Sequence, residues 1–176
     1  MILVETDTSG DWDSSTAWPA LARRAVEAAV AHSAHAALIE AALPIELSVR
    51  FTCDEEVRSL NSQYRGRDKA TNVLSFPMVE PDLIDAIAVG GEGELLLGDI
   101  VLAHGVCARE AADKGISAEQ HATHLVVHGT LHLLGYDHET GEDDADAMEQ
   151  VERGALAALG FPDPYLLTEE QAEHHA

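Results

Sequence analysis

The segment "HGTLHLLGYDH", residues 128–138, restricts the fold more than any other stretch of the chain. Its spacing is H-x-x-x-H-x-x-G-x-x-H. On a helix, His128 and His132 project from one face with Cβ atoms about 5–6 Å apart. That separation suits two ring nitrogens about 2.0–2.1 Å from one zinc ion. Gly135 can take the left-handed conformation that ends a helix, and the turn can bring His138 back beneath the other two. Three protein ligands plus water is the usual catalytic zinc set. Zinc proteases with this spacing carry a glutamate directly after the first histidine as general base, and here Gly129 occupies that place. The glutamate-based mechanism therefore lacks its base. Metal-assisted hydrolysis stays open, because bound zinc lowers the pKa of water to about 7. His124 extends the four-residue stripe and is read as packing or as a partner of the ligands. His121 and His104 are read as structural.

Around this helix the sequence predicts an α+β domain, with one small sheet and helices packed on it. "ILVET" (2–6) reads as a first strand. Residues 15–43 read as one helix, capped by Ser15 or Thr16 with Pro19 in its first turn. "IELSVRFT" (45–52) alternates apolar and polar residues as a half-buried strand does. Asp54 is expected to cap a helix running to about Tyr64, with Gly66 as its stop. "TNVLSF" (71–76) is strand-like, residues 78–93 read as a surface loop, and "ELLLGDIVLA" (94–103) reads as a central strand interrupted at Gly98–Asp99. A short helix ends near Gly115. "SAEQ" (117–120) is a capping box opening the histidine helix. An acidic helix over about 141–159 stops at Gly160. Residues 1–167 are expected to form a single domain, with 168–176 a frayed tail.

The chain has 176 residues, with 10 basic against 32 acidic and a net charge of −22. Such acidity disfavours non-specific binding to nucleic acid or anionic membrane, and neither membrane nor DNA is expected as a partner. The first residues carry no basic region and no long apolar run, so no signal peptide is expected. No run of about 18 apolar residues exists to cross a bilayer. A cytoplasmic setting and reduced thiols at Cys53 and Cys107 follow as expectations. Against this acidity, four of the ten basic residues crowd into one segment: Arg58, Arg65, Arg67 and Lys69. Such an island can grip phosphate, arginine doing so with two parallel hydrogen bonds, and Tyr64 beside it can stack on a base. A solvated helix end and loop is the plain alternative.

Three blocks resemble the signatures of the YbeY family of bacterial endoribonucleases, also called rRNA maturation factors: "LNSQYRGRDKATNVLSFP" (60–77), "LLGDIVLA" (96–103) and "HGTLHLLGYDH" (128–138). They fall in the family's order, and "LGFPDPYL" (159–166) is similar to the family's ending. The resemblance implies a small mixed sheet with helices. It also implies a single-strand-specific, metal-dependent endoribonuclease acting in 16S rRNA 3′-end maturation and ribosome quality control, with the small ribosomal subunit as partner. It further implies one zinc ion on His128, His132 and His138, and a functional arginine at Arg65. The competing readings are a metalloprotease or other zinc hydrolase, and a non-catalytic ribosome-assembly factor whose metal is structural. Asp137 and water are the candidates for general base.

Overall fold

The alternation in 45–52 buries Ile45, Leu47, Val49 and Phe51 on one side of a strand, as its period of two requires. In a computed structural model, which describes residues 2–90, 93–137 and 141–165, this strand is β2 (Ile45–Thr52). It lies between β1 (Ile2–Thr8) and β4 (Leu95–Ala103), and β3 (Val73–Pro77) closes the far edge. β1, β2 and β4 are parallel, and β3 is antiparallel to β4. With helices α1 (Trp18–His32), α2 (Asp54–Arg65), α3 (Pro81–Gly90), α4 (His104–Lys114), α5 (Ala118–Leu133) and α6 (Glu142–Ala158), the chain is an α+β domain with a mixed sheet, as its sequence implied.

The parallel pair β1–β2 needs a crossover, which α1 supplies. The main core lies between one face of the sheet and α1, α5 and α6; Ala22, Val26, Ile100, Leu102, Val127 and Leu156 belong to it. A smaller cluster of Val57, Leu74, Val101 and Ala103 packs α2 on the opposite face. The apolar run of β4 serves both. Leu95 and Leu97 join Ile100 and Leu102 in the main core although 97 and 100 are three apart. The register against β2 shifts between Glu46 and Leu47, which pair with Leu96 and Gly98, so Leu97 is an extra residue in β4. Gly98 marks this irregularity without ending the strand. At φ 143° a Cβ there would sit 2.2 Å from the backbone oxygen of Phe76.

Four expectations need correction. The helix predicted over 15–43 stops at His32, and a short 3-10 turn at Ala36–Glu40 follows. Ser33 turns extended there, its hydroxyl donating to Val30 O at 2.7 Å and accepting from His35 N at 3.0 Å, so the side chain competes with the helical ladder. Neither Ser15 nor Thr16 caps α1; Ala17 stands at its N-cap and Pro19 lies in the first turn. Asp54 is the first residue of α2, after Cys53. Its carboxylate accepts instead from Val106 N at 3.1 Å, in the first turn of α4. The segment 78–93 contains α3, which opens on Pro81, where a missing N–H costs nothing, and is pinned by the buried Ile84. The expected tail, 168–176, lies outside the described residues. Neither cysteine is in a disulfide; Cys53 is exposed and Cys107 buried. No helix among the described residues is long and apolar enough to cross a membrane.

Candidate active site

Helix α5 opens as its capping box predicts, with Ser117 Oγ accepting from Gln120 N at 3.1 Å. It then runs through the core, and its contact with the sheet explains Gly129. A Cβ at 129 would lie 2.9 Å from Ile100 Cγ2 and 3.1 Å from Ser75 Oγ. Position 129 thus faces β3 and β4, and a side chain there would have to displace Ile100. At the far end Gly135 turns the chain with φ 102°, and a Cβ there would meet Pro81 Cβ at 2.6 Å. Glycine is required at 135 both for its φ and for the packing of the start of α3.

His128 and His132 present their Nε2 atoms to each other 3.0 Å apart, with ring centroids 4.6 Å apart. Two imidazole nitrogens converging from consecutive turns form a donor pair that suits zinc. His138 lies outside the described residues, and among the described residues no three His, Cys, Asp or Glu side chains gather as a metal set. Behind the pair stands Glu152 of α6, fully buried, which neither the motif spacing nor the resemblance indicated. Its Oε1 accepts from His128 Nδ1 at 2.5 Å, and its Oε2 accepts from His124 Nε2 at 3.1 Å and from the Tyr165 hydroxyl. Burial alone would raise the Glu152 pKa. Hydrogen bonds and charge from His124 and His128 outweigh it and hold the carboxyl well below its usual range. The sequence did carry one signal: Met148, Glu152 and Leu156 repeat every four residues on the buried stripe of α6, with a carboxylate among apolar neighbours. His124 is therefore a partner of the carboxylate. His121 bonds Glu110 at 2.9 Å, and His104 packs edge-on against Trp12, both as structural histidines do.

The two histidines open into a groove of about 780 Å³ whose rim includes Arg65, Arg67, Lys69, Asn72 and Asp137. Among the described lining residues, three cations face one carboxylate, in a chain where acids outnumber bases 32 to 10. Gly66, left-handed at φ 67°, ends α2 and sends the chain along the rim. Buried Asn61 holds the turn, its backbone oxygen accepting from Arg67 N at 3.2 Å and its amide donating to Lys69 O at 3.0 Å. Arg65 donates from Nη2 to Ser75 O at 2.6 Å, and its guanidinium lies 5.7 Å from the Phe76 ring centre. The basic island divides here. Arg58 forms a two-pronged pair with Asp68 at 2.8 and 3.0 Å and is absent from the groove lining. Tyr64 is exposed and meets Phe76 edge-on at 5.5 Å.

A sequence profile described as "Endoribonuclease YbeY" matches residues 11–160. The chain belongs to the YbeY endoribonuclease family. An "Endoribonuclease YbeY" of Rhizorhabdus wittichii is 56% identical over 170 residues, covering 97% of this chain and 100% of that protein. Another, of Sphingopyxis alaskensis, is 53% identical and covers 94% of this chain and 98% of that protein. The solution structure of TM1509 from Thermotoga maritima shares the fold, with a TM-score of 0.53 at 21% identity over 89% of this chain and 91% of that one. In this YbeY-family member the histidine pair and the basic rim face one cleft, uniting two of the three blocks that carried the resemblance. The third block, in β4, supplies the sheet against which α5 lies.

Proposed function

We propose that this chain is a zinc-dependent endoribonuclease specific for single strands, acting in the cytoplasm on precursor 16S rRNA in the small ribosomal subunit, in 3′-end maturation and ribosome quality control. One zinc ion would be held by His128, His132 and His138. The carrying observation is the meeting of the two Nε2 atoms, 3.0 Å apart, at the wall of the groove that gathers Arg65, Arg67 and Lys69. When bound, zinc supplies Lewis acidity and lowers the pKa of water to about 7.

The chain's own residues do the rest. Glu152 holds His128 with Nδ1 protonated, which keeps the Nε2 lone pair for the metal. Arg65, anchored to Ser75 O, commits one of its five donors there and can offer others to a phosphate whose charge grows in the transition state. Arg67 and Lys69 hold the flanking backbone. Asp137, the one acidic side chain among the described lining residues, can take a proton from the attacking water. The metalloprotease reading loses ground, because position 129 faces Ile100 and Ser75 and no base can stand there.

The test combines metal analysis with cleavage of single-stranded RNA, duplex RNA and a peptide by one purified sample. One zinc per chain and cutting of single-stranded RNA alone are expected. Each of His128→Ala, His132→Ala and His138→Ala should lose both metal and cutting. Peptide cleavage, or full metal content in the His132→Ala variant, would overturn the assignment.

A further inference from the structure

The segment after α6 reaches back into the site. Phe161 N donates to Leu156 O at 2.9 Å, and Tyr165 N donates to Asp163 Oδ1 at 2.9 Å. Arg153 pairs with Asp163 at 3.0 Å, and its guanidinium lies 5.4 Å from the Tyr165 ring centre. The Tyr165 ring also packs edge-on against His124 at 5.9 Å. So held, its hydroxyl donates to Glu152 Oε2, the oxygen that also receives His124, while Oε1 is left to His128.

We infer that Tyr165 is a positioning residue: by fixing the rotation of the Glu152 carboxylate it presents Oε1 to His128 Nδ1 and so aims His128 Nε2 at the metal. This rests on the reading of His128 as a ligand. The physical reason is torsional. A carboxylate turns about its last bond in a broad, two-fold well, so its own rotamer does not decide which oxygen meets the imidazole. Two donors on Oε2 decide it. The fully buried carboxylate cannot exchange the tyrosine for bulk water, so removing the hydroxyl leaves an oxygen short of a partner. An imidazole whose outer nitrogen loses a firm acceptor samples the other tautomer, in which Nε2 carries the proton and cannot bind metal. Disturbing such outer partners costs about 10–100-fold in metal affinity.

The test compares wild type, Tyr165→Phe and Glu152→Gln. Tyr165→Phe keeps the ring contacts with Arg153 and His124 and removes only the hydroxyl. Zinc affinity is read by competition with a chromophoric chelator, and the His128 tautomer by nitrogen-15 NMR on metal-free protein. Zinc affinity is expected to fall about tenfold in Tyr165→Phe and up to about 100-fold in Glu152→Gln, with the Nδ1-protonated signal of His128 giving way to a mixture. A lowered melting temperature with unchanged zinc affinity and unchanged His128 signal would make Tyr165 a mere strap for the C-terminal segment and overturn the inference. Should His128→Ala bind zinc as wild type does, the ligand reading fails. The tautomer measurement then still decides the link from Tyr165 to His128, and a wild-type signal in Tyr165→Phe refutes it.

Discussion

Replacing Gly129 by glutamate would give this chain the motif of a zinc protease, and the structure predicts that it gives no protease. A Cβ at 129 would sit 2.9 Å from Ile100 Cγ2 and 3.3 Å from Ile100 Cδ1, and Ile100 is fully buried in the main core. Gly129→Ala isolates the steric part. Overpacking a close-packed core costs about 1–3 kcal/mol, while alanine in a helix interior returns about 1 kcal/mol over glycine. The net is a loss of roughly 1 kcal/mol, or about 2–4 °C in melting temperature for a chain of this length. Glutamate adds a carboxylate forced against the sheet and should prevent accumulation of folded protein. Thermal unfolding of both variants, with metal content and peptide cleavage on any folded material, makes the comparison. If alanine raised the melting temperature by the few degrees that helix propensity alone predicts, the close approach of α5 to β4 would be wrong. Peptide cleavage by a folded Gly129→Glu variant would refute the placement of position 129.

Arg65→Ala should cut single-stranded RNA about 10²–10³ times more slowly with metal content intact, and Arg65→Lys should rescue little, because a point charge cannot make two parallel contacts to phosphate. Wild-type rates in Arg65→Ala would remove the arginine from the chemistry. A native-state thiol assay near pH 8 should label exposed Cys53 and spare Cys107, whose thiol burial pushes up to about 12, whereas denatured, unreduced protein should show two thiols. Fast labelling of both in the folded state would contradict the packing of α4. Burial holds the His121 pKa below its ordinary 6.5, against the opposing pull of Glu110, so the folded chain takes up a proton here less readily than the unfolded chain. Its contribution to stability is therefore full above pH 6.5 and declines as pH falls toward the folded-state pKa. His121→Gln should flatten the loss of melting temperature between pH 7.5 and 5.5, and parallel curves for the two proteins would exclude the effect.

Much of the fold was legible because it rests on interactions spanning one turn or one strand. Ser117 and Gln120 meet within a helical turn, Gly66 and Gly115 end helices by their own left-handed backbone, and β2 shows its buried face by alternation. The histidine pair was legible for the same reason, since residues four apart must share a helix face. Local competition misled the reading at Ser33, where one hydroxyl breaks an alanine-rich helix, and at 81–90, where a single buried isoleucine anchors a helix that otherwise reads as loop. Only tertiary packing decided the surroundings of the site. Glu152 is one of 32 acidic residues, and its meeting with His128, 24 positions earlier, exists only because α6 lies against α5. The turn after α2 separated Arg58, taken up by Asp68, from Arg65, Arg67 and Lys69 at the groove, and the approach of α5 to β3 and β4 favours glycine at 129. Sequence spacing records which groups share a turn or a strand face, whereas the partner of a buried charge is set by which elements pack together.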